Sequence, residues 1–474
     1  MRQDTCSRRN GRRAVHWHAL SVVSGMLMLL GSHSGAAAMT FSQALDAARQ
    51  NDASFRAAGY EFDASRYGVP IARAQLLPAI SLNASESAVT GSRRFANGQN
   101  QEVRLPLDYS SPQVSLNMRM PLFNFEAISS YKQAQAQAEV AEANLRVQSL
   151  SLVERLAGAY LQLLIAEDTQ RLAASQVEAY RTQAAQAEQR FQRGEGTRVQ
   201  VAQTQATLDV SRSRLLEAVD QIEQSRSRLE RLTGTPQVRA NALPAKHQPL
   251  ALFPERLGDW MEMALRQSPS LQAQERIREV ARQFTRRQTA GHLPRVDLVA
   301  SLGRNENDST NSIGQSTTIR SIGVQLSVPL FNGGGVDASV KQAGMRESQA
   351  AEEARKERET IEIDVQRHYQ AVVSGEQRVQ SYLRSVESTG LAVQGARRAL
   401  ETGLGTNSEL AEALGVNFSA LRDLTQARTE TLLSRVRLML RAGMPHTEVA
   451  GEVDRFLVDT SAAPAPAPAP APAQ

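Results

Sequence analysis

The sequence runs to 474 residues, of which only 5% are aromatic, with a formal net charge of +5 and a single cysteine. The length leaves room for roughly two or three ordinary cores, but Ala, Gln, Arg, Glu and Leu dominate the middle of the chain, which favours long helices over compact globules. The lone Cys6 excludes an internal disulfide and any paired-cysteine metal or redox site.

The chain opens with the three parts of an export signal: Arg8, Arg9, Arg12 and Arg13, then an apolar run from Ala19 to Leu30, then small residues ending in Ala36, Ala37 and Ala38. Residues 1–38 are therefore expected to be a cleaved signal peptide, which takes Cys6 with it. The apolar run falls short of the roughly 20 residues that a spanning helix needs. This segment carries five arginines against Asp4, so its removal leaves about +1 for the rest. The high isoelectric point thus belongs to the leader and gives no footing for nucleic-acid binding. The remainder is expected to be exported, and either soluble or held in a membrane by strands.

After the leader the sequence is written twice. PLFN at 121–124 returns at 329–332, RGEGT at 193–197 meets TGLGT at 402–406, and SRSRLERLTGTP at 225–236 meets SRVRLMLRAGMP at 434–445. This predicts a first repeat with its linker over 39–254, a second over 255–445, and an extension over 446–474. Each repeat begins with a helical segment, about 41–74 and 255–289, ending before a proline as helices tend to do.

Two alternating runs follow in each repeat. In the clearer one of each pair, Val114, Leu116, Met118, Met120 and Leu122 alternate with polar residues, as do Ile322, Val324, Leu326, Val328 and Leu330. Ile80, Leu82 and Ala84, and Val296, Leu298, Ala300 and Leu302, form the weaker partners. Period two marks strands with one apolar face, and runs of 8 to 11 residues fit a tilted membrane-crossing strand.

Long helices are expected after each PLFN. Between Phe125 and Arg193 there is no proline and one glycine, enough for about 100 Å of helix at about 1.5 Å per residue. Beyond the glycine break a heptad runs Val201, Leu208, Leu215, Ile222, Leu229, with Thr204, Ser211, Ala218 and Ser225 three residues after the first four. Such a repeat predicts supercoiled packing, and the small second position predicts close helix approach. Four strands cannot close a membrane barrel alone, since single-chain barrels begin at about eight. Open edges cannot face lipid either, because unpaired backbone groups cost several kcal/mol each. Several copies must then share one barrel, with the helices projecting into water.

The doubled order, the PLFN strand exits, the GxGT turns and the closing LTGTP and LRAGMP segments resemble the TolC family of outer-membrane efflux and secretion proteins over residues 41–445. The resemblance implies a mainly α fold with a small membrane β-barrel portion. It implies a homotrimer in which four strands per protomer make a shared barrel of 12 above a periplasmic tunnel of 12 helices. It further implies partners, namely a periplasmic adaptor and an inner-membrane ABC transporter, and a role as the exit duct of a type I secretion system exporting a protein toxin. Small-molecule efflux is the alternative.

On this resemblance Gly194, Gly196, Thr197, Gly403, Gly405 and Thr406 form the periplasmic tips that contact the adaptor. Pro121, Asn124, Pro329, Asn332, Gly333, Gly334 and Gly335 form the barrel-to-tunnel joints. Where the family carries acids around its constriction, alignment puts Ala411 and Leu414 here, so Glu409, Glu412 and Arg198 stand as substitute gate candidates. No catalytic constellation, cofactor motif or metal-ligand spacing is present, and no enzyme activity is expected. Gly333–Gly335 lacks the Lys-Ser/Thr of a P-loop, His16 and His18 lie in the leader, and His247, His292, His368 and His446 match no zinc pattern. The Ala-Pro tail has no means to form a core and is expected to be extended polyproline II.

Overall fold

The computed structural model describes residues 38–457 apart from 245, 248, 250, 310 and 311; all of the expected leader but its last residue, Ala38, and the Ala-Pro tail lie outside the described residues. The same series of elements occurs twice. First come α1 (Phe41–Asn51), α2 (Ala53–Ala74), strands β2 (Ala79–Ala96) and β3 (Glu102–Phe123), then α3 (Phe125–Gln192) and α4 (Arg198–Thr233). The second series is α5 (Leu257–Gln267), α6 (Pro269–Thr289), β5 (Arg295–Ser309), β6 (Ser312–Ser327), α7 (Gly335–Glu401) and α8 (Asn407–Arg441). Two-residue strands β1 (Ala38–Met39) and β4 (Arg239–Ala240) pair in parallel, and α9 (His446–Arg455) closes the described chain.

The four long strands form one antiparallel sheet in the order β2-β3-β5-β6. Register puts the alternating residues in rows: Leu82 faces Leu116, Leu116 faces Leu302, and Ala300 faces both Met118 and Ile322. One face is thereby apolar across all four strands. Ile80, Leu82, Ile322, Val324 and Leu326 on it are 63 to 77% exposed. The other face carries Ser81, Asn83, Ser115, Asn117, Ser301 and Ser321. There Arg119 donates to Asp297, with Nε to Oδ2 at 3.1 Å, tying β3 to β5 near the helices. A row of large apolar side chains left in water forgoes about 1.5–3 kcal/mol apiece, so lipid is the solvent this face fits.

The strands outrun the alternating stretches: β2 and β3 have 18 and 22 residues, against the 8 to 11 expected from period two. Backbone pairing in a hairpin continues beyond the sequence that faces lipid, because the ladder itself needs no buried face.

Helices α3 and α7 have 68 and 67 residues, about 100 Å each at about 1.5 Å per residue. Towards the sheet they pack with α2 and α6; away from it they pack with the shorter α4 and α8, and α8 also lies against α3. The heptad holds its phase in α4: Thr204, Ser211, Ala218 and Ser225 are all buried, while Val201, Leu215 and Ile222 are only partly so. The small residues form the buried line of α4, and Ala420 and Ala427 are buried likewise in α8.

The thickest core sits where the helix pairs change partners. Leu152, Leu156, Leu161 and Leu163 of α3 meet Leu229 of α4, Ile361 and Val365 of α7, and Leu432, Val436 and Leu438 of α8. Phe41 packs edge-on against Tyr160 at 5.7 Å, and the Tyr160 hydroxyl donates to Met39 O and accepts from Asn241 N at 2.7 and 2.8 Å. Asp454 of α9 accepts from Phe41 N and Ser42 N at the start of α1, at 2.7 and 3.1 Å. Both ends of the described chain are thus pinned into this belt.

The expected single helix at the head of each repeat is in fact two. Asp52 ends α1 and caps α2, accepting from Phe55 N at 2.7 Å and from Arg155 Nη1 and Nη2 at 2.9 and 3.0 Å. Ser268 does the same between α5 and α6, with Pro269 opening α6. In both cases a side-chain cap replaces the backbone bonds that would have continued the helix.

Candidate functional site

Each strand-to-helix joint turns the chain from lipid-facing sheet into stalk, and the two do it differently. In the first, Pro121 lies where the β3–β5 register shifts, consistent with a residue that cannot donate to a ladder. Asn124 caps α3 directly, its side chain accepting from Ala127 N at 3.1 Å, with Phe123 and Phe125 edge-to-face at 4.9 Å on either side. In the second, β6 stops at Ser327, and Pro329, Leu330, Phe331 and Asn332 run outside any element. Gly333 and Gly334 then take φ of +60° and +77°, a region open to glycine at little steric cost. Gly334 caps α7 without a side chain, Gly335 begins the helix, and Asn332 contributes its carbonyl to Gly335 N at 3.1 Å. Leu330 and Phe331 project here, 92 and 84% exposed.

The tips at the far end are built alike. In the first, Gly194 (φ +76°) follows α3; Gly194 N donates to Phe191 O and Glu195 N to Arg190 O, both at 2.9 Å. In the second, Gly403 (φ +76°) follows α7, with Gly403 N to Leu400 O at 3.3 Å and Leu404 N to Ala399 O at 2.9 Å. These are the paired bonds of a Schellman helix end. A Cβ on Gly405 would stand 2.9 Å from Ala399 Cβ, so the turn closes only without one. Thr197 and Thr406 then open α4 and α8 with capping boxes shared with Gln200 and Glu409.

That last pair fixes Glu409: its carboxylate accepts from Thr406 N at 3.0 Å. Glu412, one turn further along α8, is exposed, as is Arg198 at the start of α4 in the other hairpin. The bonds across the hairpins come from residues that the sequence did not single out. Arg190 Nη2 donates to Leu400 O at 3.2 Å, Gln183 donates to Asn407 O, and the Tyr180 hydroxyl reaches Ala411 O at 3.4 Å. Tyr180, Leu208, Leu400, Leu410 and Leu414 form a buried cluster, with Ala411 against it. Ala411 and Leu414 therefore hold α8 to α3 by apolar packing. Tyr180 and Gln183 gave no sequence signal because their partners lie more than 200 residues away.

Electrostatics elsewhere serve the scaffold. The Arg155 guanidinium holds the Asp52 carboxyl below its usual 3.8. Burial pushes Glu167 above 4.5, against the pull of Arg226, Arg239 and Arg171. Burial also lowers His368 below 6.5. Among the described residues no group of three or more His, Cys, Asp or Glu is placed to hold a metal ion.

An unclosed four-stranded sheet with a lipid-compatible face, continued by helical hairpins of about 100 Å, defines the class of outer-membrane ducts with a helical stalk. The chain belongs to the outer membrane efflux protein family, whose model matches residues 44–235 and 260–444. It is 33% identical over 402 residues to the alkaline protease secretion protein AprF of Pseudomonas aeruginosa, covering 84% of this chain and 83% of that one. It is 29% identical over 424 residues to the proteases secretion protein PrtF of Dickeya chrysanthemi, covering 87% and 90%. Among solved structures, the outer-membrane channel OprN matches with a TM-score of 0.73 at 22% identity over 86% of this chain and 90% of that chain, a likeness of fold.

Proposed function

We propose that the protein is the outer-membrane exit duct of a protein secretion system, in which three copies pool their strands into one barrel of 12 and their hairpins into a periplasmic tunnel. The observation that carries this reading is the sheet: an apolar face in four strands, with β2 and β6 each left with an open edge. Such edges are tolerated in lipid only if another copy pairs with them. Relatives named for protease secretion favour a protein cargo over small molecules. The cargo proposed is accordingly a secreted protein, with a toxin as the form that the family resemblance implies.

In this reading the chain supplies no transport energy. An inner-membrane ABC transporter drives the cargo, and a periplasmic adaptor meets the tips at Gly194, Gly196, Thr197, Gly403, Gly405 and Thr406. Opening requires α8 to leave α3, which means separating the cluster of Tyr180, Leu208, Leu400, Leu410 and Leu414. Arg198 and Glu412 form the charged rim that the adaptor meets, while Glu409 keeps α8 capped.

The test is deletion of the gene in the strain that encodes it, followed by comparison of secreted protein and drug sensitivity. Loss of a protein from the medium with unchanged sensitivity is expected. Unchanged secretion with raised sensitivity would replace export by small-molecule efflux.

A further inference from the structure

The β2–β3 ladder continues without a break from Ala79↔Arg119 to Ala96↔Glu102, whereas β3 pairs with β5 only as far as Gln113↔Asn305. From Ser87↔Ser111 outward, ten residues of each strand stand clear as a two-stranded ribbon, roughly 33 Å long at about 3.3 Å per residue. Along the sheet the even positions are apolar and the odd positions polar. Along the ribbon this reverses: Val103, Leu105, Leu107 and Tyr109 are odd, as are Val89 and Phe95 opposite them, interrupted by Gly91 and Arg93. The even positions now carry Glu86, Arg94, Glu102, Arg104 and Asp108, with Arg94 and Glu102 paired at 3.7 Å and Ser110 donating to Glu86 at 2.9 Å.

A slip of one residue in the ladder would exchange the faces and cancel the reversal, but the pairing has none. The exchange is therefore written in the side chains. From Val103 to Ser111 the odd residues of β3 are half-buried and the even ones exposed, and because the β2–β3 pairing has no slip, the odd residues stay on one side of the strand from ribbon to sheet. In the sheet that side is the polar one, with Ser81, Asn83, Ser115 and Asn117, turned from the lipid-compatible face. The apolar stripe of the ribbon thus faces the way the barrel lumen faces, in a part of the chain beyond the stretch that lipid covers.

We infer that this stripe packs against the same stripe of the other copies, so that the β2–β3 ribbons converge over the barrel axis and close its outer mouth. The occupant is a second copy because the ribbon continues strands whose sheet must already be completed by neighbouring copies, and because the lumen-side faces of symmetry-related ribbons are turned to one axis. The inference rests on the proposed shared barrel.

The test uses the full-length protein, whose only cysteine lies in the expected leader, with single cysteines introduced as Leu107→Cys or, on the opposite face, Asp108→Cys. Outer membranes are treated with a short bismaleimide, and each detergent-extracted variant is weighed to establish its copy number. Severalfold more cross-linked product from Leu107→Cys than from Asp108→Cys, in protein of three-copy mass, is the expected result, together with a raised single-channel conductance for Leu105→Asp/Leu107→Asp. Equal or absent cross-linking at three-copy mass overturns the cap and leaves the barrel standing. Labelling of Leu107→Cys by a lipid-soluble maleimide without cross-linking assigns the stripe to lipid and also overturns it. A monomeric mass removes the barrel and the cap together.

Discussion

The two helical hairpins have nearly the same dimensions, 68 and 36 residues against 67 and 35, and turn through the same pair of backbone bonds. Their side-chain chemistry diverges wherever the backbone leaves it free. Tyr180 and Leu208 of the first correspond to Thr389 and Asn417 of the second; the first pair joins an apolar cluster, while Asn417 donates to Thr389 at 3.0 Å. The joints diverge likewise, a side-chain cap at Asn124 against left-handed glycines at Gly333 and Gly334. Helix length and turn geometry are thus held by the stalk's dimensions, which two hairpins must share to run side by side. The contacts are not shared, because α8 packs against α3 of the other hairpin as well as against α7.

That comparison can be broken most severely in the belt, where the copies should be equivalent. Leu229 and Leu438 occupy matching positions and are both fully buried in one core. Leu229→Ala and Leu438→Ala are each predicted to cost about 2–5 kcal/mol, equal within error by denaturant unfolding; a large inequality would show that the belt depends on one repeat. The tips should differ instead. Leu414→Asp puts a charge into the buried cluster and is predicted to loosen the tip by about 3 kcal/mol, read as faster amide exchange around Tyr180 and higher conductance. The matching Gln205→Asp, on an exposed position, should change neither.

Smaller effects sharpen the contrast at the joints. Asn124→Ala is predicted to lose about 1 kcal/mol with its cap, while Asn332→Ala, whose carbonyl is the bonded group, should lose little. The smallest concerns Glu167 and its counterpart Glu376. Because burial raises Glu167, the folded state disfavours its charged form, a cost that appears as pH rises through 4.5 and is complete above the folded value. Glu167→Gln should therefore raise the melting temperature at neutral pH and leave it unchanged well below 4.5. Glu376→Gln weakens the bond from His247 at 2.7 Å and should lower it.

Much of this architecture is legible in the sequence because it is periodic. Alternation marks the lipid-facing strands, the heptad of Val201 to Leu229 marks α4, and the repeated GxGT marks both tips. The ribbon beyond the sheet was not legible, since the odd run of Val103 to Tyr109 and the even run of Val114 to Leu122 cancel in any window that spans both. The break at Asp52 was hidden because small polar residues serve within helices as well as at their ends, whereas Ser268 followed by Pro269 carries the pattern of a cap and a first-turn proline. For Glu409 the signal was present: Thr406 and Glu409 are spaced as a capping box, which accounts for the carboxylate before any gate is invoked. The contacts of Tyr180, Gln183 and Arg190 are tertiary, and no local pattern encodes them.

The central claim is that one chain brings a third of a barrel. The direct measurement is the mass of the purified full-length protein in detergent, by light scattering corrected for bound detergent. The account predicts three copies per particle; a particle of one copy, folded and stable with its sheet edges unpaired, would contradict it.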